Sequence, residues 1–252
     1  MISNDFDIEA FQKNIMLNGC CRPSLIKEIA EYIYNSGTRI LLIGNSGSGK
    51  TYVAKLILQQ LFPEYQEISQ LDAYDVNERE SIRMLITKMN SKSILIEKLF
   101  DFSMHMTPRD LRLTSSLSHL LQDSQSFIIA TTKDPTNVDP SILRQFPKKF
   151  YLKPLDLEER IILFKSLPSS FSTPLIDQFR SLQSETEQEN LMKHYSSMNP
   201  SDLLSVTQPY IAENTFSAVA GVDSIVKKLE FLILKPLLEP QIFKNIGVKP
   251  PR

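Results

Sequence analysis

Gly44-Asn45-Ser46-Gly47-Ser48-Gly49-Lys50-Thr51 fits the spacing G-x-x-x-x-G-K-[ST]. The residue types define a chemistry. Glycines remove side chains, so successive backbone N–H groups can turn inward and cradle the oxygens of a polyphosphate. Lys50 carries a cation to the β- and γ-phosphates, and the Thr51 hydroxyl is a hard oxygen ligand for a Mg²⁺ ion bound with them. The chain has only 7 glycines in 252 residues, and Gly44, Gly47 and Gly49 all fall in this window. With Tyr52 behind Thr51, the candidate nucleotide contacts run from Gly44 to Tyr52.

Such a loop needs a strand leading in and a helix leading out, whose N-terminus adds partial positive charge. Arg39–Ile43 (RILLI) is a short apolar run suited to a strand buried on both faces of a parallel sheet. After the loop, Val53, Ala54, Leu56, Ile57, Leu58 and Leu61 recur at helical spacing. Further strands are expected in EYQEIS, SILIEKL, SFIIATT and KKFYLKPL, with helices in NERESIRMLITKM and in Thr107–Leu121, where Pro108 sits in the first turn. Alternating strands and helices predict an α/β fold, a parallel sheet with both faces covered. Ahead of it, Leu25, Ile26, Ile29 and Ile33 form one helical stripe that Gly37 is expected to end. From Asp156 the pattern is helical only, and Asp156 with Glu159 reads as a capping box.

Composition sets outer bounds. With 42% hydrophobic residues, 23% charged residues and a net charge of −1, the chain can bury one large core or two small ones. That charge gives no bulk attraction to nucleic acid, and none is expected as a partner. Lys148, Lys149 and Lys153 beside Phe150 and Tyr151 read as a solvated edge strand rather than a nucleic-acid face. Cys20 and Cys21 are adjacent, which excludes a disulfide scaffold and points to a reducing compartment. No apolar run is long enough to span a membrane, and MISNDFDIEA has no signal pattern. His105, His119 and His194 have no metal-ligand spacing.

Several downstream segments resemble the AAA+ ATPases. SILIE stands where the family's second phosphate-loop motif lies, ATTKDPTNVDPSIL resembles its sensor-one strand, and YSSMNPSDLLSV resembles its lid signature. Tyr74, ahead of Arg83, lies where the family has a pore-loop aromatic, although Val76 replaces the usual glycine. The tail from Thr215 to Arg252 is similar to the segment that opens a second such domain. The resemblance implies a P-loop NTPase sheet flanked by helices, followed by an α-helical lid. The expected parts are an N-terminal lead-in at 1–38, the α/β core at 39–154, the lid at 155–214 and a truncated second opening at 215–252. It further implies ATP and Mg²⁺ as cofactors, a homo- or hetero-oligomeric ring of such subunits, and a cytoplasmic location, free or peripheral to an organelle membrane. A degenerate first domain of a two-ring protein, of the peroxisomal receptor-export kind, is the nearest subtype.

The departures fall on hydrolysis. Where the family has Asp-Glu, this chain has Glu97-Lys98. Glu97 could reach a metal through water, but Lys98 cannot accept a proton from water while charged. Lys133 stands at the sensor-one asparagine, with Thr132 beside it, and Arg144 is the arginine available as a finger toward a neighbouring subunit. The expectation is ATP binding with slow or absent hydrolysis, serving ring assembly or regulation. An active protein-remodelling ATPase using Glu97 as base, with Thr132 and Arg144 assisting, is the alternative. A fragment without independent function is the third reading.

Overall fold

The computed structural model describes residues 6–69, 78–99 and 107–206. Apolar runs with no polar interruption, ILLI, ILI and FIIA, have no solvent face, and they form the inner strands β1 (Arg39–Ile43), β3 (Ser93–Ile96) and β4 (Phe127–Thr132) of a sheet covered on both sides. The more polar β2 (Gln66–Ile68) and β5 (Lys148–Tyr151) are its edges. All pair in parallel, in the order β2-β3-β4-β1-β5. β4 therefore lies between β1 and β3. The register sets Ile43 opposite Thr132 and Ile96 opposite Ala130, so the C-terminal ends of three adjacent strands lie side by side. Ligands of parallel α/β sheets bind at that edge.

Alternate residues of β1, β3 and β4 feed different cores, and β2 and β5 each add one residue to a single core. Ile40, Leu42, Leu95, Phe127, Ile129 and Phe150 pack with α1 (Ile8–Leu17), α2 (Pro23–Tyr34) and α3 (Lys50–Leu61). Leu41, Ile43, Ile94, Ile96, Ile128 and Ala130 pack on the other face. There they meet Leu85 and Met89 of α4 (Glu78–Met89), Leu113, Leu117 and Leu121 of α5 (Pro108–Asp123), and Ile142 of α6 (Pro140–Leu143). β5 is an edge strand, with Lys148, Lys149 and Tyr151 exposed and Phe150 buried. The lid segment contributes α7 (Leu157–Ser166), α8 (Pro174–Ser181), α9 (Glu185–Lys193) and α10 (Pro200–Leu204). The capping box at its start is formed: Asp156 Oδ1 accepts from the Glu159 amide at 2.7 Å, and Glu159 Oε2 accepts from the Asp156 amide at 3.2 Å.

Two details differ from the sequence pattern. The lead-in is two helices, α1 and α2, joined through Gly19 at φ +89°. α2 ends at Tyr34, and the left-handed turn residue is Ser36, at φ +63°, rather than Gly37. The Gly37 amide then donates to the Tyr32 carbonyl at 3.0 Å, closing the turn behind it. The described residues belong to one compact unit, Met1–Pro209; a second unit, Tyr210–Arg252, lies outside them, as do Tyr74, Val76 and His105. Among the described residues, no helix is long and apolar enough to cross a membrane.

Candidate functional site

The loop between β1 and α3 is fixed at both ends. The Gly44 amide donates to the Thr132 carbonyl at 3.2 Å, extending the β1–β4 ladder by one residue. A Cβ at Gly44 would lie 2.7 Å from the Leu152 carbonyl oxygen and 2.8 Å from Ser48 Oγ, so only glycine fits. At the far end Gly49, with φ +89°, is the N-cap of α3. A glycine cap offers no side-chain acceptor, so it leaves the first amides of the helix, at Lys50, Thr51 and Tyr52, available to an anion.

The carbonyls of Gly44, Asn45, Gly47, Ser48 and Gly49, by contrast, have partners. Lys50 Nζ donates to the Gly44 and Asn45 carbonyls at 2.6 and 2.7 Å. The Gly47 carbonyl accepts from the Ser201 amide at 3.2 Å, and that of Ser48 from Arg22 Nη2 at 3.4 Å. The Gly49 carbonyl accepts from the Val53 amide at 2.9 Å. Burial pushes the Lys50 ammonium below its usual range, and the charge of Lys133 pushes the same way. Two cations therefore act on one small volume beside the loop. Of the remaining loop residues, Asn45 and Ser46 are exposed, whereas Ser48 is buried. Tyr52 is turned to a structural task, its hydroxyl donating to the Asn18 carbonyl at 2.7 Å and tying α3 to the α1–α2 connection.

The candidate hydrolytic residues line the same strand edge. Glu97 follows β3, and its carboxylate pairs with Lys55 of α3 at 3.4 Å; Lys55 also pairs with Glu67 at 2.9 Å. Lys98, next in the chain, is exposed, adopts φ +51°, and donates its amide to Thr131 Oγ1 at 3.0 Å. Thr132 is buried at the end of β4, with its hydroxyl on the Asp134 carbonyl at 3.3 Å, and Lys133 beyond it is exposed. Arg144 is exposed at the C-terminus of α6. Gly44–Thr51, Glu97, Lys98 and Lys133 thus share the ends of β1, β3 and β4. Arg144 lies on a separate element that follows β4.

Four residues act at the site in ways that no local pattern announces, although Glu159 stands in the capping box and Ser201 in the lid-like segment. Arg22, 5% exposed, reaches the loop from ahead of α2. Glu159 holds Arg22 at 3.7 Å from the first turn of α7. Ser201 caps the Gly47 carbonyl from α10, and Lys55 neutralises Glu97. Only the partner geometry marks these roles.

Residues 40–154 match the sequence model of the ATPase family associated with various cellular activities (AAA). The parallel sheet and its phosphate loop agree with that match, and together they support an AAA+ P-loop α/β fold for this segment of the chain. The chain is also similar to the ribosome biogenesis ATPase RIX7 of Saccharomyces cerevisiae, at 28% identity over 171 residues. That alignment covers 61% of this chain and 20% of the relative, so the chain spans about a fifth of the length of the curated relative it matches.

Proposed function

We propose that Gly44–Thr51 bind ATP and that this domain hydrolyses it slowly or not at all, acting as the nucleotide-holding member of a ring of AAA subunits that remodels protein. One observation carries the reading. At the strand edge where hydrolysis needs a free carboxylate base, the carboxylate present, Glu97, is paired with Lys55, and its neighbours along the edge are Lys98 and Lys133. Cations at those positions stabilise a bound triphosphate through its charge but take no proton from water. Binding needs the loop, Lys50 and Thr51; turnover needs the residues that differ.

The donor set fits Mg²⁺ in the manner of phosphate-loop proteins, in which the phosphates supply most of the ligands. Thr51 and, through water, Glu97 are the oxygen donors that would hold it, and among the described residues no cluster of three or more His, Cys, Asp or Glu forms a self-contained metal site. When bound, the ion would neutralise phosphate charge. Lys50 orients the β- and γ-phosphates. Lys133 adds a second cation and Thr132 a hydroxyl at the end of β4.

The place of this domain as the first ring of a two-ring machine, the identity of its protein client and a cytoplasmic site of action belong to the same proposal. The RIX7 name describes that relative, and a part in ribosome biogenesis is one candidate setting. A second reading, of an active ATPase, is favoured by the 25% exposure of the Glu97 side chain, which leaves it accessible. Nucleotide affinity and steady-state phosphate release, measured on the same preparation, separate the two. Micromolar ATP binding with turnover far below about 1 s⁻¹, the lower end of ordinary phosphoryl-transfer rates, supports the proposal. Turnover at or above that rate that disappears in Glu97→Gln overturns it.

A further inference from the structure

Arg22 is a buried cation that the binding chemistry described above does not use. Its guanidinium reaches three separate elements. Nη2 donates to the Lys153 carbonyl, in the connection from β5 to the lid, at 2.8 Å and to the Ser48 carbonyl in the loop at 3.4 Å. Nη1 lies 3.7 Å from Glu159 Oε2 in the first turn of α7. Arg22 is 5% exposed and the Glu159 side chain 14%, so the pair is shielded from water and each partner depends on the other. A planar five-donor fork can serve acceptors in three directions; a lysine cannot.

The loop contact has a directional consequence. In a trans peptide the C=O of one residue and the N–H of the next point opposite ways. Holding the Ser48 carbonyl on the Arg22 side therefore turns the Gly49 N–H to the other side. Ser48 lies between Gly47 and Gly49, both at positive φ, so this peptide plane has little steric restraint of its own. The next carbonyl back, of Gly47, is held by the Ser201 amide of α10. Two successive loop peptides are thus oriented by groups belonging to, or paired with, the lid.

The geometry points to Arg22 as a positioning residue that orients the Ser48–Gly49 peptide for phosphate and, through Glu159, couples occupancy of the loop to the lid helix α7. This rests on the loop being the ATP site. Coupling is reciprocal: a phosphate that holds the Gly49 N–H strengthens the Arg22 contact and steadies α7, and an α7 held by Glu159 steadies the loop. Glu159 has a second task in the capping box. A glutamine can still perform it, so Glu159→Gln removes the ion pair and keeps the cap.

The test is amide hydrogen exchange of the whole chain with and without ATP, following residues 50–61 and 157–166 separately, beside nucleotide titration. In the wild type ATP slows exchange in both segments. Arg22→Gln weakens ATP binding about tenfold, within the usual range of such couplings, and abolishes the response of 157–166. Glu159→Gln retains protection of 50–61 and loses that of 157–166, which gives the answer even where the Arg22 variant folds poorly. An ATP response at 157–166 that is unaltered in both variants, whatever their melting temperatures, overturns the proposal and leaves Arg22 with packing alone. So does a wild-type response confined to 50–61. Protection of neither segment in the wild type overturns the ATP site itself, and the coupling with it.

Discussion

Replacing Gly47 by alanine isolates what the lid contributes to the phosphate loop. Gly47 has φ +76°, where an L-residue costs about 1–2 kcal/mol. The new Cβ would also run into the Ser201 hydroxyl and stand 3.2 Å from Ser201 Cβ and 3.6 Å from Asn199 Cβ. The Ser201 hydroxyl can rotate away, but the 3.2 Å Cβ contact makes α10 give by a few tenths of an ångström, which strains the 3.2 Å bond from the Ser201 amide to the Gly47 carbonyl, worth about 1 kcal/mol. Gly47→Ala should therefore lower unfolding free energy by about 2–3 kcal/mol. Ser201→Gly removes the obstructing atoms and leaves the φ penalty. In the double variant about 1 kcal/mol should return relative to the sum of the two single changes. Urea unfolding of the four proteins gives this coupling from the midpoints, provided the slopes agree. A Gly47→Ala loss below about 0.5 kcal/mol, or effects of the two changes that add within about 0.3 kcal/mol, would show that α10 does not press on Gly47.

Other expectations follow from the same contacts. Lys50→Met removes the cation that binds the Gly44 and Asn45 carbonyls, and should abolish measurable ATP binding in a calorimetric titration while the chain still melts cooperatively. Lys98→Glu with Lys133→Asn restores a carboxylate and an amide at the strand edge, and phosphate release should rise by at least about tenfold, since a positioned general base contributes roughly 10²–10⁴; an unchanged rate would show that the block lies elsewhere. Burial pushes the Cys21 thiol from 9.0 up to about 12, so the folded chain keeps its proton where the unfolded chain releases it. The stability held below pH 9.0 should then fall as pH rises toward 12, by up to about 1.4 kcal/mol per unit, in unfolding measured across that window. Alkylation of Cys20 and Cys21 at pH 8 should correspondingly be slow until the chain unfolds, because both are buried thiols.

The parts legible in sequence were those governed by local rules. RILLI could only be a buried strand, G-x-x-x-x-G-K-T prescribed a loop at a helix N-terminus, and Asp156 and Glu159 sit at capping-box spacing. Helix termination was less legible. Gly37 is the residue suited to a left-handed turn, yet Ser36 takes that conformation, because the chain must turn early enough for the Gly37 amide to meet the Tyr32 carbonyl. Lys55 gave no hint of its role, since it looks like a solvated helix residue until β3 brings Glu97 alongside. Arg22 was hidden for the same reason: its strongest hydrogen bond goes to a carbonyl 131 residues away. Charged residues whose partners come from other elements have no periodicity to betray them. Those residues set the electrostatics of the phosphate loop, while glycine and lysine spacing set only its shape.

The central claim is that the loop holds ATP and the strand edge leaves it intact. The direct measurement is the fate of bound nucleotide: the whole chain is loaded with ATP and Mg²⁺, freed of excess nucleotide, and the retained nucleotide is identified over time. ATP should remain the bound species over many minutes, and Lys50→Met should retain none. Conversion of the bound ATP to ADP within seconds, in a chain that still carries Lys98 and Lys133, would contradict that claim.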